Sequence, residues 1–145
     1  MVALSMGTIA ETEHALSTPL TNAEAIYKAN LDMKAFYQEV VRVVLLDGQH
    51  RCITKVDIFK GTVNECLAHP REIFRSAILH SAFAFVLVHN HPSGHANPSE
   101  ADLQLTERIA AGARVLQLNF LDHVIVGHPM DGRSGYFSFQ EAGLL

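Results

Sequence analysis

The sequence predicts an α/β sandwich, a mixed central β-sheet flanked by helices, and three observations carry that prediction. Apolar runs of strand length, Val40 to Leu46 and Phe83 to Val88, alternate with segments of helical period such as Ile73, Phe74, Ala77 and Ile78. The first run is followed by Asp47-Gly48-Gln49-His50 and then Cys52 to Phe59, the pattern of an antiparallel hairpin. The second run is continuous rather than alternating, as in strands covered on both faces. Strands and helices interleaved in this way pack as layers around one core.

The elements follow in order. Residues 1–20 mix Ser, Thr, Gly, Ala and Glu without a period and read as a flexible leader, leaving residues 21–145 as one domain. Thr21 and Glu24 have capping-box spacing and predict a helix to about Met33, with Ala25, Ile26 and Ala29 inward. Lys34 to Gln38 continues it after a break. Val40 to Leu46 is rich in β-branched residues and reads as a strand. Ile53, Val56 and Ile58 alternate with polar neighbours in the next strand, and Val63 to Leu67 reads as extended. Pro70 suits a first helical turn, and that helix is expected to end near His80. Asn90 to Pro98 is a polar loop. Ser99 opens a helix with Leu103, Leu105, Ile109 and Ala110 as its apolar contacts, ending by Ala113. Leu116 to Val126 gives one or two strands, Tyr136 to Phe139 a short one, and Glu141 to Leu145 a helical turn.

Composition narrows the function classes. A chain of 145 residues, 48% of them hydrophobic, buries enough core to fold without a disulfide or a metal. A metal found in it therefore serves another purpose. The net charge is −4, and the eleven basic residues are scattered from Lys28 to Arg133. No basic stripe is visible that would displace counterions from nucleic-acid phosphates, unless folding gathers Arg42, Arg51, Lys55 and Lys60 on one face. Cys52 and Cys66 form no CxxC pair and read as reduced thiols of a cytoplasmic protein. The first 20 residues lack the basic start and apolar stretch of a secretory signal. The run Ala82 to Val88 falls far short of the ~20 residues a membrane helix needs.

The chemistry concentrates in His89-Asn90-His91-Pro92-Ser93-Gly94 and the helix start that follows. In extended backbone, residues two apart point to one side, so His89 and His91 can reach a single ion. Seven residues then separate His91 from Ser99, and Asp102 lies in the first turn of the next helix. A loop of that length folds the turn back over the strand end and brings in a carboxylate as third ligand. Two imidazoles and one carboxylate suit Zn2+, and three protein ligands leave one position open for a water. Zinc lowers that water's pKa from about 15.7 to about 7. The plainer reading of the same residues is a helix start, with Ser99 as N-cap and Asp102 as an acid favoured by the helix dipole.

His89-x-His91, seven residues, Ser99, two residues, Asp102 matches the JAMM (MPN+) metalloprotease motif, and a wider set of features resembles the RadC family. These are Phe59-Lys60-Gly61-Thr62, His69-Pro70-Arg71-Glu72, Pro98-Ser99, Leu121-Asp122-His123 and Ile125-Val126-Gly127. The resemblance implies a JAMM fold, similar to the cytidine-deaminase architecture. It implies a zinc held by His89, His91 and Asp102, with Ser99 assisting. JAMM enzymes take a general base from a glutamate on an earlier strand, and Glu39, directly before Val40, fits by position; Glu72 is the competitor. Glu39 would take a proton from the attacking water and pass it to the leaving amine, while the Ser99 hydroxyl steadies the oxyanion. The implied reaction is amide or isopeptide hydrolysis on a peptide or protein substrate.

His95 is expected at the surface, with entry as a fourth ligand the alternative; Asp122 and His123 are expected either to brace the ligands or to form a buried structural pair. Longer RadC proteins place a helix-hairpin-helix module ahead of this domain, for which too few residues precede Glu39, so the short form is expected. The family's association with DNA repair leaves an accessory protein whose metal site is structural or inactive as the competing function; a nuclease using the same metal is disfavoured, because the motif fixes only one carboxylate.

Overall fold

A computed structural model describes residues 18–61 and 69–145. Residues 1–17 of the expected leader, Thr62, the extended segment Val63 to Leu67 and Cys66 lie outside the described residues. The order is α1 (Ala23–Ala29), a 3-10 helix (Leu31–Ala35), β1 (Glu39–Leu46), β2 (Cys52–Gly61), α2 (Pro70–Leu79), β3 (Ala84–Asn90), α3 (Glu100–Leu116), β4 (Asn119–Val126) and β5 (Tyr136–Ser138).

The five strands form one mixed sheet in the order β2-β1-β3-β4-β5. β1 pairs antiparallel with both β2 and β3. β3 and β4 run parallel, and α3 provides the crossover that a parallel pair requires. The continuous apolar run is thus the central strand, buried at every position from Ala84 to Asn90. Strand parity sorts the core into two layers. Val41, Val43, Leu45, Phe85 and Leu87 face Ile73, Phe74 and Ala77 of α2 and Leu105, Ile109 and Ala113 of α3. Val40, Val44, Leu46, Val86, Val88, Val124 and Val126 face Ala23 and Ile26 of α1 and Met33 of the 3-10 helix.

Several elements differ from expectation, each for a local reason. The first helix is capped by Asn22, not Thr21, because the Asn22 side chain accepts from the Ala25 N–H at 2.8 Å. It stops at Ala29, and a tighter 3-10 turn takes over to Ala35, so Ala25 and Ala29 are only partly buried. Leu20, ahead of the expected domain boundary, is buried and donates its N–H to His50 O at 2.8 Å. In α2 the buried stripe drifts toward Ser76, which turns Ile78 outward. α3 continues past Ala113 to Leu116 and closes on Gln117 in the left-handed conformation. Leu103 and Ala110 only flank its buried face, which Asp102, Leu105, Thr106, Ile109 and Ala113 form. β4 is one strand beginning at Asn119, and Leu116 belongs to the helix before it. The chain end makes a single turn, in which Ala142 N–H reaches Ser138 O and Leu144 N–H reaches Phe139 O. No helix among the described residues is long and apolar enough to cross a membrane.

Candidate metal centre

The same parity places the polar residues. Glu39 opens β1, His89 lies near the end of β3 and His123 lies in β4, all odd positions on the face covered by α3. Asp102 projects from the first turn of α3 onto that face, and Thr106 sits one turn further along. Glu39 is 5% exposed and Asp102 and His89 each 1%, so none of these groups is a solvated surface charge. Three of them, Glu39, His89 and Asp102, and His91 from the loop after β3 bring one ligand atom each within 4.8 Å of one another, a set able to hold a metal ion.

The pairwise distances are tight. His89 Nε2 lies 3.0 Å from His91 Nε2, 3.1 Å from Asp102 Oδ1 and 3.3 Å from Glu39 Oε1. His91 Nε2 lies 3.1 Å from Asp102 Oδ2. Ligands about 2.0–2.2 Å from a tetrahedral ion stand roughly 3.3–3.6 Å apart, so a spread of a few tenths of an ångström seats one.

Proton placement supports the fit. His91 Nδ1 lies 2.7 Å from the His95 carbonyl oxygen, which only accepts, so that nitrogen carries hydrogen. In neutral His91 the Nε2 lone pair then points at a carboxylate oxygen and at a second imidazole nitrogen. Acceptors facing one another in a buried site are repulsive until a cation lies between them. Burial opposes a charge on His91, but the Asp102 carboxylate and the His95 carbonyl outweigh it and raise the imidazole above its ordinary value. Burial would raise the Asp102 carboxyl, yet the two imidazoles and the Ser99 N–H hold it well below the usual range. Glu39 moves the other way: burial pushes its carboxyl up, and the nearby imidazoles only partly offset that.

Ser99 and Asp102 form the plain helix start, and Asp102 also stands in the cluster. Ser99 Oγ accepts from Asp102 N–H at 3.1 Å, and Asp102 Oδ2 accepts from Ser99 N–H at 2.8 Å, a complete capping box. The cap uses Oδ2 and leaves Oδ1 facing His89. The loop between is fastened to the sheet: His91 N–H reaches Val126 O at 3.0 Å, Gly94 N–H reaches His91 O at 2.9 Å, and His128 N–H reaches Gly94 O at 2.9 Å. Gly94 has φ +88°, and a Cβ there would stand 2.8 Å from His128 Cδ2, so the turn requires glycine.

Of the remaining sequence candidates, His95 is exposed and joins only through its backbone carbonyl, not as a ligand. Glu72 lies in the first turn of α2, outside the cluster, as an exposed acid. His123 is fully buried, with Nε2 2.7 Å from His89 Nδ1 and its ring stacked on Phe139 at 4.5 Å. Burial holds its imidazole well below the ordinary value, so it is neutral. Asp122 points away from the cluster and accepts from Ser138 Oγ at 2.6 Å, His123 N–H at 2.7 Å and Gln140 N–H at 3.0 Å.

Two participants escape a reading of the sequence. Asn90 accepts from Val40 N–H at 2.8 Å and donates to Gln38 O at 3.0 Å, pinning the start of β1, and with it Glu39, to the end of β3. Its only sequence signal is its place between two histidines, where it must point to the opposite side. Thr106 touches both Asp102 O and His123 Nδ1. A cavity of about 460 Å³ is lined by Ala35, Phe36, Tyr37, Gln38 and Val40, with Tyr37 98% exposed.

The model of the RadC-like JAB domain matches residues 20–144. A UPF0758 protein of Actinobacillus succinogenes is 41% identical over 132 residues, which is 91% of this chain and 56% of that protein. The chain thus spans little more than half the length of that relative. With its mixed sheet, its crossover helix and its buried His-x-His and Asp cluster, this chain belongs to the RadC family and carries the family's JAB domain.

Proposed function

We propose that the chain is a zinc-dependent hydrolase of the JAMM type, acting on the amide or isopeptide bond of a peptide or protein substrate. The observation that carries this reading is the convergence of two imidazole Nε2 atoms and a carboxylate on one buried point, with a second carboxylate beside them. His89, His91 and Asp102 would hold the ion. When bound, zinc supplies Lewis-acid polarisation and lowers the pKa of a water toward neutrality.

The chain's own residues account for the proton traffic. Glu39 stands 3.3 Å from His89 Nε2, close enough to the ligand set to take a proton from an attacking water. Its raised carboxyl value matches it better to a base that must also return the proton, here to the leaving amine. Ser99 Oγ accepts from Asp102 N–H, which leaves its own hydrogen free to point at a developing oxyanion. The backbone ties of Asn90 fix Glu39 relative to the imidazoles.

The test is Glu39→Gln, with zinc content and cleavage of fluorogenic peptides measured on both proteins. We expect zinc to be retained and cleavage to fall by about 10²–10⁴-fold. Zinc bound by both and peptide cleaved by neither supports instead a DNA-repair accessory role with a structural or inactive site. Salt-dependent duplex binding near micromolar concentration would strengthen that alternative.

A further inference from the structure

We propose that Thr106 and His123 are positioning residues that lock His89 in the one tautomer able to offer its Nε2 lone pair to a metal ion. The inference rests on the cluster being a metal site and adds how the protein prepares one of its ligands.

The direction of the chain of hydrogen bonds is fixed at its far end. Thr106 Oγ1 lies 2.8 Å from the Asp102 carbonyl oxygen, and a carbonyl only accepts, so the single hydroxyl hydrogen points there. The same Oγ1 lies 2.6 Å from His123 Nδ1. With its hydrogen already committed, the hydroxyl must accept, and His123 Nδ1 must carry hydrogen. A neutral imidazole has one N–H, so His123 Nε2 is bare. It stands 2.7 Å from His89 Nδ1, which must therefore donate. His89 Nε2 is left as a lone pair, and it faces Glu39, His91 and Asp102.

Reversing the chain would turn the Thr106 hydrogen onto His123 Nδ1 and give up its bond to the Asp102 carbonyl. The rings cannot turn away. His123 is held by its stack on Phe139, by Asp122 Oδ1 on its own N–H and by Phe139 N–H on its carbonyl. Thr106 is 2% exposed and His123 is fully buried, so water does not compete for these bonds. His91 reaches the same state by a shorter route, a single bond from Nδ1 to the His95 carbonyl. Both imidazoles thus present bare Nε2 atoms, one fixed by a loop carbonyl and the other by a three-bond relay ending in the helix that also supplies the carboxylate.

Two variants and one spectroscopic measurement test this. Thr106→Val keeps the volume and removes the acceptor; we expect zinc affinity, read by chelator competition, to fall about 10–100-fold with the metal-free fold unchanged by circular dichroism. Thr106→Ser restores the hydroxyl and should restore the affinity. In the metal-free wild type at mildly alkaline pH, imidazole ¹⁵N shifts should place hydrogen on His89 Nδ1 and His123 Nδ1, and Thr106→Val should mix the tautomers. Wild-type affinity in Thr106→Val, or hydrogen on His89 Nε2 in the wild type, overturns the proposal. The tautomer readout needs no bound metal. A wild type that takes no zinc yet shows His89 Nδ1–H defeats the metal reading and leaves the relay standing.

Discussion

Arg42 and Glu39 are buried three positions apart on β1 and face opposite sides of the sheet, and each anchors a polar cluster. The Arg42 cluster is closed. Its guanidinium donates to both Asp32 oxygens at 2.9 Å, to Asp57 Oδ1 at 2.7 Å and to Asn30 Oδ1 at 3.2 Å, so donors meet acceptors throughout. The Glu39 cluster is open. Two carboxylates and two imidazole lone pairs converge, and among the described residues no Lys or Arg side chain pairs with them. A network in which every donor meets an acceptor is a structural device; one that leaves acceptors facing acceptors could hold a cation from outside.

The largest expected effect probes the open cluster. Zinc at about 100 times its dissociation constant should stabilise the wild type by about 2.7 kcal/mol, read as a rise in thermal midpoint. His91→Ala should abolish that rise and Arg42→Met should leave it intact. Equal loss in both variants would break the distinction between the clusters. Arg42→Met itself should cost about 2 kcal/mol in urea unfolding, because it strands the buried Asn30 Oδ1 and leaves Asp57 unpaired. A neutral result would make the closed cluster dispensable.

Next comes the group shared by cap and site. Ser99→Ala removes the acceptor for Asp102 N–H and should lower stability by about 1 kcal/mol with or without zinc. A loss confined to the zinc-bound protein would assign Ser99 to the metal site alone. The smallest effect is a pH dependence of the closed cluster. The hydrogen bond from Arg42 lowers the Asp32 carboxyl despite partial burial. Its contribution is therefore fully present above the unfolded value of about 3.9 and is lost as pH falls through the lower folded value. The midpoint gap between wild type and Asp32→Asn should hold steady at neutral and mildly acid pH and shrink only below about pH 4. A gap that widens on acidification would contradict the sign.

How much of this was legible in the sequence follows from how local each signal is. β1 and β3 were readable because a sheet interior demands unbroken apolar residues, and the face that His89 takes follows from strand geometry. Helix ends were less readable. Val115 and Leu116 extend α3 while 82% and 45% exposed, so they continue no buried period. Ile78 looked inward by spacing but lies where the α2 stripe has drifted. Within the site, the His-x-His and Ser-x-x-Asp spacings were visible because both act over a few residues. Asn90 and Thr106 were not. Asn90 binds Val40 across 50 positions of sequence and Thr106 binds His123 across 17, and a lone Asn or Thr has many commoner uses. The sequence also does not say which Asp102 oxygen serves which partner: Oδ2 meets Ser99 N–H while Oδ1 faces His89.

That single carboxylate makes the opening of the crossover helix and the occupancy of the cluster one mechanical unit. Its two oxygens move together, so a shift of Oδ1 toward an ion moves Oδ2 against Ser99 N–H, one half of the capping box that opens α3. Filling and emptying the site should therefore be heard at the helix mouth, as a change in amide-exchange rate at Ser99, well away from any reacting bond.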